Sequence, residues 1–403
     1  MFEDKTPFFY LAFECDWLFA LYQSSIKKFK QLVTRIKKSG FNTIVTNLYA
    51  HQGFSDSRRT TDVFAPPKYF LYQGTNAKPN FARFNLKFFH YFDQMLSYLW
   101  QHDLIVHLML QVQNKKVNWP ARNSKEDRLF WQYVVARYQG FSNIIWDISK
   151  ESYNLYRETG SHDYVLERID LIRSVDKFKH LVTAHDPEPD SVSQISIVDK
   201  KVDFIADQIH LGEVKAYNYE AISKWRLIEK PYVNIEYGYE YGVEPIKTYI
   251  GPTTACWKEI LKWTYAIILG GGYCCYYYSN TSWDLIKFIP EPPGWSRYRY
   301  LRDFWQEIDF NSLVPANELV KEGFCLANYG KEYLIFLPEE VKKLEVNLAA
   351  LGEGSLIFCH WMDIFKGEKR TVITRRFAQS GLFQQLNSPL AESNPCIVHL
   401  RKN

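Results

Sequence analysis

Short apolar runs and helix-period stretches alternate along the first three quarters of the chain. Phe8–Phe13, Phe41–Leu48, Leu104–Leu110, Ile144–Ile148, His180–Ala184, Phe204–Ile209, Tyr232–Ile235 and Gly271–Tyr278 predict eight strands. Between the first two, Ile26, Phe29, Leu32, Val33 and Ile36 fall at helical spacing behind Ser24 or Ser25, with Gly40 as the stop. Further helices are predicted over Leu86–Trp100 behind Asn85, from Ser124 to Tyr138, over Val165–Ile172 and over Trp257–Leu269. Ser124-Lys-Glu-Asp127 has the form of a capping box, with Asp in place of the usual Glu.

Eight strands separated by helices predict a parallel α/β fold, and that number favours a closed (β/α)8 TIM barrel. The rival, an open doubly wound sheet, usually opens with a glycine-rich turn, and Phe13-Glu-Cys-Asp-Trp17 is not one. After Asn317 the beat changes. Phe324–Ala327, Tyr333–Leu337, Leu344–Leu348, Leu356–His360, Thr371–Thr374 and Cys396–Leu400 are runs of β-formers punctuated by Gly330, Gly352, Gly354, Gly367 and Asn394-Pro395. The expected organisation is a barrel over 1–316 and a small all-β sandwich over 317–403.

Composition narrows the function. With 46% hydrophobic residues in 403, a large core is available. The net charge of +4 is close to balanced, and Lys27, Lys28, Lys30, Lys37 and Lys38 sit at the spacing of one wet helix face, which argues against nucleic acid as a partner. Aromatics are abundant, at 17% with 12 Trp and 28 Tyr; they suit either a large core or a cleft that stacks on sugar faces. The seven cysteines include no CxxC and several lie in apolar runs, which reads as reduced, buried thiols. Met1-Phe-Glu-Asp-Lys-Thr-Pro7 has no signal-peptide character and no run reaches a membrane span, so the expectation is a cytoplasmic protein, or a secreted one from which a signal has been removed.

The candidate chemistry lies at the strand ends, which a barrel gathers at one face. Glu151 ends Asn143-Ile-Ile-Trp-Asp-Ile-Ser-Lys-Glu151 on strand four, and Glu236 ends Tyr232-Val-Asn-Ile-Glu236 on strand seven. A carboxylate closing a buried strand is unfavourable unless paired or used, and two such groups across a barrel are what glycosidic cleavage needs. A structural ion pair between Glu151 and a lysine or arginine is the alternative. Around them fall Glu14, Asp16 and Trp17 of strand one, Asn47 of strand two, His107 of strand three and Lys150 of strand four. His185, His210 and Tyr239 follow from strands five to seven, and Tyr278, Asn280 and Trp283 from strand eight. His107 also reads as a core histidine, Asp147 as a deeper structural carboxylate, and Glu240 as a supporting one. The tyrosines of strand eight must alternate between core and cleft.

Asn143–Glu151 and Val233-Asn-Ile-Glu-Tyr-Gly-Tyr-Glu240 resemble the fourth- and seventh-strand motifs of the clan A barrel glycoside hydrolases, and more narrowly those of the apiosidase-like family. Phe9-Tyr-Leu-Ala-Phe-Glu-Cys-Asp-Trp17 and Ser279-Asn-Thr-Ser-Trp283 are similar to that family's first- and eighth-strand motifs. Gly323–Pro338 and Cys359–Gly367 resemble the β-sandwich appended to many of its barrels. The resemblance implies a retaining hydrolase acting on a carbohydrate without a cofactor. Glu236 would be the nucleophile and Glu151 the acid/base, with the carboxyl groups about 5–5.5 Å apart. Tyr239 or another tyrosine would orient the nucleophile, and Trp17 and Trp283 would floor the sugar subsite. Lys150 stands where much of the clan carries an asparagine that touches the sugar 2-hydroxyl, so that contact does not carry over.

Two other classes remain. A metal-dependent barrel hydrolase could draw on His51, His107, His185, Asp186 and His210, but strand one lacks the His-x-His usual in such zinc barrels. A non-catalytic carbohydrate-binding barrel would be expected to have lost one of the glutamates. The loops His51–Pro79 and Val112–Asn123 are placed to close the cleft, with Trp119 and Arg122 as candidates for its wall.

Overall fold

Each of the eight apolar runs of the first three quarters forms a strand in the computed structural model, which describes residues 6–53, 62–186, 199–210, 214–227, 230–241, 253–375, 383–392 and 394–403. Strands one to four are Leu11–Glu14, Thr43–Asn47, Ile105–Val112 and Ile144–Lys150. Strand five is two short pieces, Val182–Thr183 and His185–Asp186, and strands six to eight are Ile205–Asp207, Tyr232–Asn234 and Tyr273–Tyr278. All pair in parallel with their neighbours, and strand one pairs with strand eight, Leu11 opposite Cys274. The ring is completed within strand five. Val182 and Thr183 pair with strand four, whereas His185 and Asp186 pair with strand six, so the partner changes across Ala184. The result is a nearly closed parallel barrel.

Alternation along the strands sorts the side chains. Ala12, Val45, Met109, Ile145, Ala206, Val233, Cys275 and Tyr277 fill the barrel. Phe13, Ile44, Leu108, Trp146, Cys274, Tyr276 and Tyr278 pack outward against the helices. Those helices are Ile26–Lys38, Leu86–Gln101, Lys125–Tyr138, Asp163–Val175, Val214–Leu227, Trp257–Ile268 and Tyr298–Trp305. They follow strands one to four and six to eight; the connection after strand five includes 187–198, outside the described residues. Ser25, Asn85 and Ser124 cap as expected, their side chains accepting from the amides of Lys28, Lys87 and Asp127. No described helix is long and apolar enough to cross a membrane.

Beyond the barrel, six strands form an antiparallel sheet in the order Val314–Pro315, Phe324–Asn328, Glu332–Leu337, Cys396–Lys402, Leu356–Asp363, Lys369–Arg375. Lys343–Val346 and Gln384–Asn387 make a separate two-stranded sheet. One face of the large sheet, with Ile335, Cys359, Trp361 and Val398, packs on Leu344, Val346 and Leu386 of the small one. The other, with Phe324, Leu334, Phe336 and Ile397, joins the core of the barrel; Phe336 lies 5.3 Å from the ring of Tyr265 on the helix after strand seven. Six of the seven cysteines are buried thiols and Cys256 is exposed. Inside the expected loop His51–Pro79 lies the start of a hairpin, Tyr72–Thr75 with Lys78–Phe84; residues 54–61 of that loop fall outside the described residues.

Candidate active site

Strand seven does not run straight into Glu236. Asn234 pairs with Cys274 and Tyr239 with Tyr277, so strand seven takes five steps where strand eight takes three. The surplus is a bulge over 235–238, which turns the Glu236 carboxyl into the barrel mouth. Gly238 makes the bend possible: a β-carbon there would lie 2.7 Å from the Trp263 ring and 3.0 Å from the Thr253 carbonyl oxygen. After the bend Tyr239 comes back over Glu236, and its hydroxyl donates to Oε1. Gln208 Nε2 donates to the same oxygen at 3.1 Å, and His210 Nε2 lies 3.4 Å from it. Glu236 is 3% exposed. Burial alone would raise its pKa, but Lys150, His210 and His185 overcome that and hold the carboxyl well below the usual range.

Lys150, at the end of strand four, is 1% exposed. Its Nζ lies 3.1 and 3.0 Å from the two oxygens of Asp16, 3.6 Å from Glu236 Oε2 and 5.5 Å from the centre of the Tyr277 ring. Burial opposes its charge, but Asp16, Glu236, Glu14 and Glu151 together raise the ammonium well above its ordinary value. Glu14, two residues before Asp16, accepts from the Asp16 amide at 2.9 Å. Burial and the Asp16 carboxylate push its carboxyl well up, against the pull of Lys150.

Glu151 differs from Glu236 in backbone, exposure and partners. Its backbone is left-handed, with φ 51°, an uncommon conformation for a side-chain-bearing residue that concentrates at functional sites. It is half-buried, and its Oε2 accepts from two amides, Asn114 Nδ2 at 2.6 Å and Asn154 Nδ2 at 3.1 Å. No lysine or arginine pairs with it among the described residues. The charges of both Glu151 and Glu236 act on Lys115, Lys150, Tyr153 and His185. Lys115, from the loop after strand three, is 1% exposed, and burial pushes its ammonium down to about 8.

The structure brings Glu14, Asp16, Lys150, Glu151, His185, His210, Glu236, Tyr239 and Trp283 to this mouth. Trp283 also has positive φ, 55°, and stacks on Tyr239 with ring centres 5.6 Å apart. His185 Nε2 meets Gln208 Oε1 at 3.1 Å. Asn47 ends strand two two residues beyond inward-facing Val45; its buried amide has no hydrogen-bond partner among the described residues. Four candidates lie elsewhere. Trp17 is fully buried between helices and stacks on Phe19 at 5.6 Å, so it floors no subsite. His107 sits deeper in the barrel, its nitrogens engaged by Tyr10 at 3.0 Å and Asp147 at 2.9 Å. Tyr278 faces the helices beside Trp295, and the strand-eight tyrosine at the mouth is Tyr277. Asn280 is a buried loop anchor between Tyr278 and Lys287. Of the wall candidates, Trp119 donates to the Val112 carbonyl and Arg122 ties down Glu158.

Asp147 bonds His107 and the Ser149 and His185 amides, and Glu240 bonds Tyr276 and the Gly294 amide, so both are structural. Gln208, Asn114, Asn154 and Lys115 escaped the sequence reading. Only Gln208 had a signal, since strand alternation places it on the same face as His210.

Carboxyl groups of three strands, one, four and seven, thus converge at the rim of a parallel barrel, where barrel enzymes keep their active sites. The profile of the family described as "Apiosidase-like, catalytic domain" matches residues 1–310, and the chain belongs to that family. Among solved structures, a glycoside hydrolase family 5 protein from Bacteroides vulgatus superposes with a TM-score of 0.75 at 16% identity, covering 99% of this chain and 90% of that one. A further glycoside hydrolase gives 0.75 at 13%, covering 99% and 94%. An endo-1,4-β-D-mannanase from Thermotoga petrophila gives 0.51 at 13%, covering 74% of this chain and 100% of its own. At these identities the likeness is one of fold. No curated protein matches the chain.

Proposed function

We propose that this enzyme is a retaining glycoside hydrolase acting on a plant- or microbe-derived oligo- or polysaccharide, with Glu236 as nucleophile and Glu151 as acid/base. The observation that carries the reading is the contrast between the two carboxyl groups. Glu236 is buried, oriented through Oε1 by Tyr239, Gln208 and His210, and held ionised; Glu151 is half-buried, strained, and held by neutral amides. An ionised carboxylate in fixed geometry suits attack on the anomeric carbon, and a carboxyl hydrogen-bonded by amides rather than ion-paired to a lysine or arginine suits exchange of a proton with the leaving oxygen and then with water. Both asparagines engage Oε2 of Glu151, which leaves Oε1 unclaimed by either amide.

The reading requires the carboxyl groups to lie about 5–5.5 Å apart in the substrate complex. The test is trapping with a panel of activated fluoroglycosides, followed by peptide mass spectrometry. Covalent label on Glu236 is expected, and Glu236→Ala is expected to lose roughly ten-thousand-fold in kcat. A Glu236→Ala enzyme near the wild-type rate, or a product released with inverted configuration, would overturn the assignment.

A further inference from the structure

We propose that Lys150 is a positioning residue for Glu236: its ammonium, held by Asp16, is the shared counter-ion that keeps the strand-seven carboxylate charged for attack and again for release. This rests on the assignment of Glu236 as nucleophile. The ammonium is almost wholly enclosed, so its charge must be balanced by neighbouring groups rather than by water. Its contacts are unequal. Both Asp16 oxygens are within hydrogen-bond distance, at 3.1 and 3.0 Å, whereas Glu236 Oε2 is at 3.6 Å and has no hydrogen-bond partner among the described residues. Asp16 therefore keeps the cation from closing onto Glu236, which feels the charge while its Oε2 lone pairs stay uncommitted.

Of the other titratable groups facing the pair, His210 and His185 also hold the Glu236 carboxyl down, but the charge of each does so less than that of Lys150. From strand one, Glu14 is pushed up by burial and by Asp16, toward its neutral form. Tyr239 and Tyr277, on strands seven and eight, are pushed up by burial and stay neutral, and so does Tyr153 after strand four. Burial moves His185 of strand five down, away from its cationic form. Lys115 faces Asp16, Glu151 and Glu236 from the loop after strand three, with its amine pushed down to about 8 by burial. His210 of strand six lies 3.4 Å from Oε1, and Glu151 lies beside Lys150 in sequence. Among the described residues, Lys150 is the one amine within ion-pair distance of Glu236.

The arrangement suits both halves of a double displacement. In the first, Glu236 gives an electron pair to the anomeric carbon, the bond to the leaving oxygen breaks, and that oxygen takes the proton of Glu151. Glu236 is then a neutral ester, and Asp16 still balances Lys150. In the second, Glu151 takes a proton from water, the water oxygen bonds to the anomeric carbon, and the ester bond returns its electron pair to Glu236. The carboxylate reappears beside an ammonium that was never left uncompensated.

The test uses a dinitrophenyl fluoroglycoside that labels the wild-type enzyme. Its leaving group needs no proton, so the pH dependence of labelling reports the ionisation of Glu236 without Glu151. The wild-type rate is expected to stay flat down to about pH 4. Lys150→Met should bring an acid limb into view, moved up by about two pH units or more, and Lys150→Arg should restore the flat profile. Because Lys150→Met leaves Asp16 buried without its partner, Lys150→Met combined with Asp16→Asn provides a charge-balanced variant, in which the same limb is expected. A folded variant of either kind with the wild-type pH profile would overturn the role of Lys150. Failure of the wild type to label with any glycoside of the panel would instead count against Glu236 as nucleophile.

Discussion

Replacing Tyr239 with phenylalanine removes one oxygen from the mouth and keeps the ring packing. The ring still stacks on Trp283 and still meets Tyr277 edge-on at 4.9 Å. Glu236 Oε1 is left with Gln208 at 3.1 Å and His210 at 3.4 Å. Burial and the Glu236 charge push the Tyr239 hydroxyl well up, so in the native protein it is a donor throughout the working pH range. A hydrogen bond to a charged partner is worth about 1.5–3 kcal/mol, which converts to roughly 10- to 150-fold in rate. The loss should fall unevenly on the two steps. In glycosylation the hydroxyl stabilises a charge that is being consumed, so its removal is partly offset. In deglycosylation it stabilises the carboxylate being expelled, and nothing offsets its removal. Tyr239→Phe is therefore expected to lower kcat by roughly 10- to 150-fold, to lower kcat/KM much less, and to produce a burst of phenol from an activated aryl glycoside. Stopped-flow absorbance with intact-protein mass spectrometry measures both the burst and the trapped glycosyl-enzyme. A folded Tyr239→Phe enzyme with wild-type kcat and no burst refutes the reasoning.

Two further outcomes follow from the same geometry. Asn114→Ala should slow substrates with poor leaving groups roughly tenfold and spare dinitrophenyl glycosides, because only the former need the proton of Glu151; equal losses on both would argue against that role. Glu240 is pushed up to about 7 by burial, although Tyr276 and the Gly294 amide donate to it. A raised carboxyl makes its contribution fully below the unfolded value near 4.5 and loses it as pH rises through about 7, a swing of about 3 kcal/mol. Glu240→Gln should flatten that part of the curve of Tm against pH, and an unchanged slope would refute the burial argument.

The barrel was legible because its signal is repeated. All eight apolar runs became strands, and Ser25, Asn85 and Ser124 capped where they were expected to. The strand Gln384–Asn387 was not, because its sequence carries one apolar residue, Leu386. The hairpin at Tyr72–Phe84 was hidden in the same way, since Lys78–Phe84 is largely exposed and gives no buried face to its pattern. The site was legible where a strand end fixed it, as for Glu14, Glu151 and Glu236. It was not where parity decided: Tyr276, Tyr277 and Tyr278 are alike in sequence, and only the register Tyr276 opposite Phe13 shows which one faces inward. Trp17 failed for a related reason, because the chain enters the helix Leu18–Ser24 immediately after it and carries its ring into the helical layer. Asn114 and Asn154 reach Glu151 from a loop and a short helix, where no periodicity marks them.

The left-handed backbone of Glu151 sets two demands on one position against each other. A non-glycine residue in that region carries a penalty of about 1–3 kcal/mol, from which glycine is exempt and which asparagine tolerates better. Selection for folding alone would therefore move position 151 away from glutamate. Drift without a reaction to preserve would erase the proposed acid/base through substitutions that strengthen the barrel, and a search for thermostable variants would meet the same temptation. On the role proposed for Glu151, a gain in melting temperature from a substitution at position 151 should come with lost turnover.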